Sequence, residues 1–516
     1  MFECCLILSI LLLVFKIEEE YYDKKKALGK LSFNSDKTFV FVAFLAILQI
    51  AYSRIYLQNI FLDPFLHLSC LILLLPTVLL VLSSKSVFGE GKYLNQYNIN
   101  ILGTLVSFLI VCVFPELFLI FYLRLQQCKN CLHSIRVGGY GDTDQKLSTH
   151  ISFIYGACML FAPFLEIKEV ILSISMGVAS CYYFLSALEK MKYDWVKSNK
   201  LKNIFFASKS QLNWSIIGNT SIINIICSLS GLVFFWELFI PLIGMPILIE
   251  DGTNLLILIF MMFLFHFFVF VSSGINFWKW KLTLLSMLML AYTVNINCYK
   301  NESLYTVAYI CSFIYTMKMS NIPIALGWLD SPLSKVYKIY FKYKGDKNVY
   351  RVRPYNIYPW DILISQNRLS FLFPDKKIVT GCLGAVRNTT LNKSLNSISE
   401  LEQDEEAIIQ RLRRIIEREG NCVGEQTSRH QTGQFVSFLK NIVHSKIRNQ
   451  TMFGRFFDML LVHIRDKREK KDLTLTNTKS GELELESVVF TFNRAFYSEK
   501  LDKIIEFDRD ARILHL

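Results

Sequence analysis

From residue 1 to about 325 the chain is a succession of apolar blocks 15–24 residues long, and from 330 to 516 it has none. A hydrocarbon layer about 30 Å thick needs ~20 apolar residues of helix to cross it. Inside that layer the backbone must satisfy its own hydrogen bonds, which makes such runs helical. The blocks predict spans at Phe39–Leu57, Phe65–Ser83, Ile99–Tyr122, His150–Leu165, Val170–Leu188, Ser215–Phe235, Leu255–Val271, Leu282–Ile296 and Leu304–Asn321, with Met1–Phe15 as a shorter tenth. The blocks near Ile151 and Leu282 are only about 16 residues long, which also suits tilted or re-entrant segments. The expected fold class is mostly α: a polytopic helical membrane bundle of eight to ten spans over 1–325, then a small α+β domain over 330–516.

In the C-terminal part the pattern changes period. Val336–Tyr343 and Asn348–Arg353 are rich in Val, Tyr and Ile, and Lys344-Gly345-Asp346-Lys347 between them reads as the turn of a β-hairpin. Three amphipathic helices are expected next. The first carries Ile408, Ile409, Leu412, Ile415 and Ile416, with acidic residues at its start, arginines at its end and Gly420 to close it. The second carries Phe435, Phe438, Leu439, Ile442 and Val443, and the third Phe453, Phe456, Phe457, Leu460, Leu461 and Ile464. Leu485–Phe492, Ile504–Phe507 and Ile513-Leu514 read as terminal β-segments, and Thr380–Glu400 as a loop or linker.

Charge orients the spans. Lys190, Lys192, Lys197, Lys200, Lys202 and Lys209 crowd one loop, Glu237–Gly252 contains no Lys or Arg, and basic residues return at Lys279, Lys281 and after the last span. Excess Lys and Arg mark cytoplasmic loops, so the C-terminal domain is expected in the cytoplasm. The N-terminal half resists this count, because six lysines between Lys16 and Lys37 fall outside if every block crosses. Residues 331–516 hold 32 Lys and Arg against 23 Asp and Glu, within a total net charge of +13. That surplus suits an anionic leaflet. No zinc-finger spacing or RNA-binding signature accompanies it, so the lipid bilayer is the expected partner and nucleic acid is not. The polar domain offers a further surface for a protein partner.

Of thirteen cysteines, most lie in apolar blocks, where they act as small hydrophobes. Cys128-Lys129-Asn130-Cys131-Leu132-His133 is the sharpest local pattern, with thiols spaced for a redox pair or half a zinc site and His133 as a third ligand. Ionisable residues at membrane depth mark functional sites by default. Three qualify: His67, Glu116 beside Pro115, and His266 well inside its block. An imidazole handles protons near neutral pH. Gly138-Gly139-Tyr140-Gly141 lacks the strand–loop–helix context of a phosphate loop, and no motif names a cofactor. Trp278, Trp280 and Trp328 fall at span edges, where interfacial aromatics anchor.

Three stretches carry a family likeness: His266-Phe-Phe-Val-Phe-Val-Ser-Ser-Gly274-Ile-Asn276-Phe-Trp278-Lys-Trp280, Gly327-Trp328-Leu-Asp330-Ser-Pro332-Leu, and Asn493-Arg494-Ala-Phe-Tyr497. They resemble a group of uncharacterised bacterial polytopic membrane proteins with a polar C-terminal domain. The first is also similar to the vitamin K-dependent carboxylase-like (HTTM) membrane domain. That resemblance implies a bundle enclosing a lipophilic substrate or quinone-like cofactor, with His266, Asn276 and Trp278 as motif positions. No lysine matches the carboxylase base. The expected function is a membrane-embedded enzyme acting on a lipophilic substrate. A scaffold presenting its C-terminal domain and a transporter are the alternatives.

Overall fold

The computed structural model describes residues 64–83, 140–160, 167–192, 230–250, 252–273, 276–295, 302–319, 329–352, 375–380, 388–422 and 484–515, with isolated positions such as Phe118, Trp195, Asn203 and Phe435. The chain is mostly helical, with a small antiparallel sheet toward its C-terminus. Among the described residues seven long helices come first: α1 Pro64–Ser83, α2 Tyr140–Leu160, α3 Ile167–Lys192, α4 Ser230–Glu250, α5 Gly252–Ser273, α6 Trp278–Asn295 and α7 Glu302–Met319. Two of them contain stretches long and apolar enough to cross a membrane, Lys168–Met191 and Thr253–Phe270. Shorter apolar helical stretches run over Pro64–Leu75, His150–Met159 and Ser230–Gly244. The blocks expected at Met1–Phe15 and Phe39–Leu57 lie outside the described residues.

The centre of the bundle is α3, which packs on α2, α4, α6 and α7. Its apolar window is 89% buried, against 33% for that of α5. Small residues permit this crowding. A Cβ on Gly177 would lie 2.4 Å from the Tyr309 carbonyl oxygen, so only glycine admits α7 here. Three hydroxyls tie α1, α2 and α6: Ser69 Oγ donates to Tyr155 OH at 3.0 Å, and Ser286 Oγ donates to the Ser69 carbonyl at 2.9 Å. The outer faces of α4 and α5 are apolar and exposed, at Phe235, Phe239, Leu242, Phe260, Leu264 and Phe268 among others.

One expected boundary moves. The stretch Glu237–Gly252, read as a loop, lies largely within a helix that runs Ser230–Glu250; of the span placed at Ser215–Phe235, residues 215–229 lie outside the described residues. The reason is electrostatic: Glu237 is paired with Lys190, so its charge does not end the helix.

After α7 come β1 Leu329–Asp330, β2 Leu333–Tyr343, β3 Val349–Arg351, β4 Lys377–Ile378, β5 Ala385–Val386, α8 Thr389–Leu401, α9 Glu405–Glu419, β6 Asn421–Cys422, β7 Leu485–Ser498 and β8 Lys503–His515. The main sheet has the order β3-β2-β7-β8 and is antiparallel throughout. Gly345 turns β2 into β3 with φ +74, a conformation that costs a residue without Cβ little. Leu333, Ile339 and Phe341 pair with Phe496, Phe490 and Val488, stacking apolar side chains on one face. Helices α8 and α9 join Phe496, Ile505 and Phe507 in one cluster through Leu391, Leu395, Ile398, Ile408, Leu412 and Ile416. The linker expected over Thr380–Glu400 is thus largely helix, started by Asn388, whose side chain accepts from the Thr390 and Leu391 amides. A β-bulge near Phe492–Arg494 coincides with Asp508 at φ 52, and that carboxylate pairs with buried Arg494 and with Arg413. Of the second and third expected amphipathic helices, only Phe435 and Leu439 are described, both buried.

Candidate functional site

The C-terminal ends of α3, α5 and α7 share one end of the bundle with the N-terminal ends of α4 and α6. Aromatic and basic side chains gather there. Lys190 lies over the Trp195 ring at 5.4 Å, Lys279 over Trp278 at 5.6 Å and Lys281 over Phe270 at 4.6 Å. Long basic stems with aromatic partners are what a membrane–water boundary favours.

His266 sits two turns before the end of α5, buried at 7% exposure. Its ring touches Trp280 at 4.9 Å between centroids, Phe277 at 5.5 Å and Tyr183 at 5.7 Å. Among the described residues neither Nδ1 nor Nε2 meets a hydrogen-bond partner. Buried polar atoms are nearly always paired, so an imidazole with two free nitrogens needs a reason.

Close by lies a buried ion pair. Glu237 Oε2 accepts from Lys190 Nζ at 2.5 Å and from Ser186 Oγ at 2.9 Å, and Lys190 Nζ also donates to Ser186 Oγ at 2.9 Å. Both charged side chains are 10% exposed or less. Tyr183, Ser186 and Lys190 are spaced i, i+3, i+7, so they form one polar stripe on α3. Lys190 and Lys281 lie within electrostatic reach of His266, and Glu237 within reach of Tyr183. Pro241, one turn beyond Glu237, has no N–H, so the Glu237 carbonyl loses its helical partner. Nearby, His150 Nδ1 and Tyr182 OH are 2.8 Å apart, and Tyr182 meets Trp280 edge-on at 5.9 Å.

Of the residues singled out from the sequence, His266 and His67 are described. His67 lies in the first turn of α1, half-buried, at the end of the bundle opposite His266, so the two do not form one site. Glu116, Cys128, Cys131 and His133 lie outside the described residues. Among the described residues no cluster of three His, Cys, Asp or Glu side chains is placed to hold a metal ion. Cys70, Cys158 and Cys181 are free and buried. Asn276 and Trp278, at the start of α6, are buried close to His266. An apolar groove of about 550 Å³ opens on the outside of the bundle, lined by Phe65, Leu256, Phe260, Leu288, Met289 and Tyr292; His266 does not line it.

The sequence reading missed Glu237, Lys190 and Ser186 as a unit. Their signal was a lone carboxylate bordered by apolar residues on one block and a lysine seven residues after a tyrosine on another. Compared with protein-family models, curated proteins and solved structures, the chain finds no match.

Proposed function

We propose that the chain is a polytopic integral membrane protein in which His266 is the proton-handling group of a membrane-embedded enzyme acting on a lipophilic substrate. The observation that carries this reading is the buried imidazole with both nitrogens unpartnered, one layer below a buried Lys190–Glu237 pair. A neutral imidazole offers one donor and one acceptor, the set needed to take a proton from a hydroxyl and return it elsewhere. Exposed apolar faces on α4 and α5 support the membrane part, because water-facing patches of that extent are rare. The lysine-rich end of the bundle is assigned to the cytoplasm by the excess of basic residues there. Asn203, in that lysine-rich segment, donates to Asn396 of α8 at 3.0 Å, which suits a cytoplasmic sheet unit available to a protein partner.

The test compares total lipid extracts from cells producing equal amounts of wild-type chain and His266→Phe, beside cells lacking the chain. Lipid species that change with wild type and revert with the variant are expected. Extracts changed equally by both proteins remove His266 from the site. A second reading, a transporter, is favoured by one feature: Pro241 and Pro246 each remove a backbone donor from α4 close to the buried Glu237 carboxylate, although the helix itself runs on unbroken. Uptake of a solute by proteoliposomes, abolished by Glu237→Gln, is the result that selects it.

A further inference from the structure

We infer that Ser186, Lys190 and Glu237, together with Tyr183, form a proton path joining His266 to the lysine-rich end of the bundle. This rests on the reading of His266 as a proton-handling group and extends it to residues nothing had assigned.

The path follows the polar stripe of α3. Tyr183 packs on the His266 ring, Ser186 stands one turn further, and Lys190 a turn beyond that. Glu237 reaches in from α4 and accepts from both Ser186 and Lys190. Among the described residues the other neighbours of His266 are aromatic or apolar, apart from Lys281 on α6 and Asn276 before it. Among the described residues, the charged and titratable groups near the imidazole are Tyr183 and Lys190 from α3 and Lys281 from α6, with Glu237 of α4 paired to Lys190 and within reach of Tyr183; α5 itself contributes none. Neither the Tyr183 hydroxyl nor either imidazole nitrogen has a direct hydrogen-bond partner among the described residues, so a water carries the proton across that step. The balance is simple. His266 releases a proton through water to the Glu237 carboxylate, which becomes the neutral acid while Lys190 stays protonated. Glu237 then releases the proton to water at the helix ends.

A purely structural latch is the competing account. Buried ion pairs contribute little to stability compared with apolar packing, and a latch has no need of Ser186 bridging both partners. The two accounts differ in what they do to solvent access at His266.

The experiment measures deuterium exchange at the C2 position of each histidine by mass spectrometry, on the full chain in lipid nanodiscs, across a pH series. The variant is Glu237→Gln with Lys190→Met, which removes both charges at once and strands neither. Ser186→Ala is the milder companion. In wild type His266 exchanges with a sigmoidal pH dependence, and in either variant its rate falls about tenfold while His150 and exposed His515 keep theirs. An unchanged His266 rate overturns the path, and a faster one does so too, because loosening of a latch admits solvent. If wild-type His266 fails to exchange at any pH while His515 does, the reading of His266 as a proton handler falls, and the path falls with it.

Discussion

Replacing His266 by Phe separates a structural histidine from a working one. The ring shape is nearly kept, so the contacts with Tyr183, Phe277 and Trp280 survive. What disappears is one buried donor and one buried acceptor, neither with a protein partner. Leaving a buried polar group unsatisfied costs about 1–3 kcal/mol. Against that stands the slightly larger six-membered ring, whose overpacking cost falls at the low end of about 1–3 kcal/mol because the shape changes by little more than one ring atom. The unfolded-in-membrane reference also finds partners for a histidine, which shrinks the gain. The net expectation is a variant more stable than wild type by roughly 1 kcal/mol. The buried thiols of Cys70, Cys158 and Cys181 give the assay: a thiol-reactive fluorophore labels them as the bundle opens on heating. A midpoint at or above that of wild type, with lost activity in the lipid-extract comparison, is a site kept at a stability cost. A midpoint several degrees lower refutes the reasoning, since the imidazole nitrogens are then stabilised in the native bundle.

Other expectations concern the scaffold. Gly177→Val forces a side chain into the Tyr309 carbonyl and the Ser312 hydroxyl, and the same thiol assay should show a loss of about 1–3 kcal/mol. Asn388→Ala removes the cap of α8 and should cost about 1 kcal/mol, read from denaturant unfolding of the sheet unit in the full chain. Arg494→Met leaves the largely buried Asp508 carboxylate without its nearest cation and should cost about 3 kcal/mol; Arg413, more exposed, compensates only partly. Burial pushes the phenols of Tyr337 and Tyr343 well above the ordinary 10.0. A proton held more tightly when folded means their contribution is complete below about pH 10 and declines as pH rises further, which tyrosinate absorbance against circular dichroism can follow. Coincident ionisation and unfolding is expected; ionisation well before unfolding refutes it.

The helices were legible wherever apolar residues ran unbroken, as in α5 and α7, because burial or lipid contact needs no periodicity. The edges of α4 were not, since a single carboxylate reads as a boundary until its partner is known. Lys190 stands 47 residues earlier in the chain, and no local pattern links the two. Helix α8 was hidden for a different reason. Its Ser, Asn and Thr content reads as a loop, yet Leu391, Leu395 and Ile398 at i, i+4, i+7 behind an Asn cap carried the helical signal. The hairpin turn at Gly345 and the capped, amphipathic α9 were legible because their information is local. His266 itself was visible as an outlier in composition, whereas its aromatic surround comes from three helices and the turn before α6, and depends on the fold.

The position of α3 in the chain has a consequence for synthesis. The helix on which α4, α6 and α7 pack is made before any of them exists. Lys190 must wait for Glu237, and at translation rates of about 5–20 residues per second the 47 intervening positions take roughly 2–9 s. Throughout that interval the Lys190 ammonium stands without its carboxylate, with only the Ser186 hydroxyl of its own helix to donate to. In a chain inserted into a membrane as proposed, α3 is expected to stay at a polar boundary near the insertion machinery until α4 arrives to neutralise Lys190. Substituting Lys190 alone relieves that wait at the expense of the finished protein, so yield and activity should move in opposite directions.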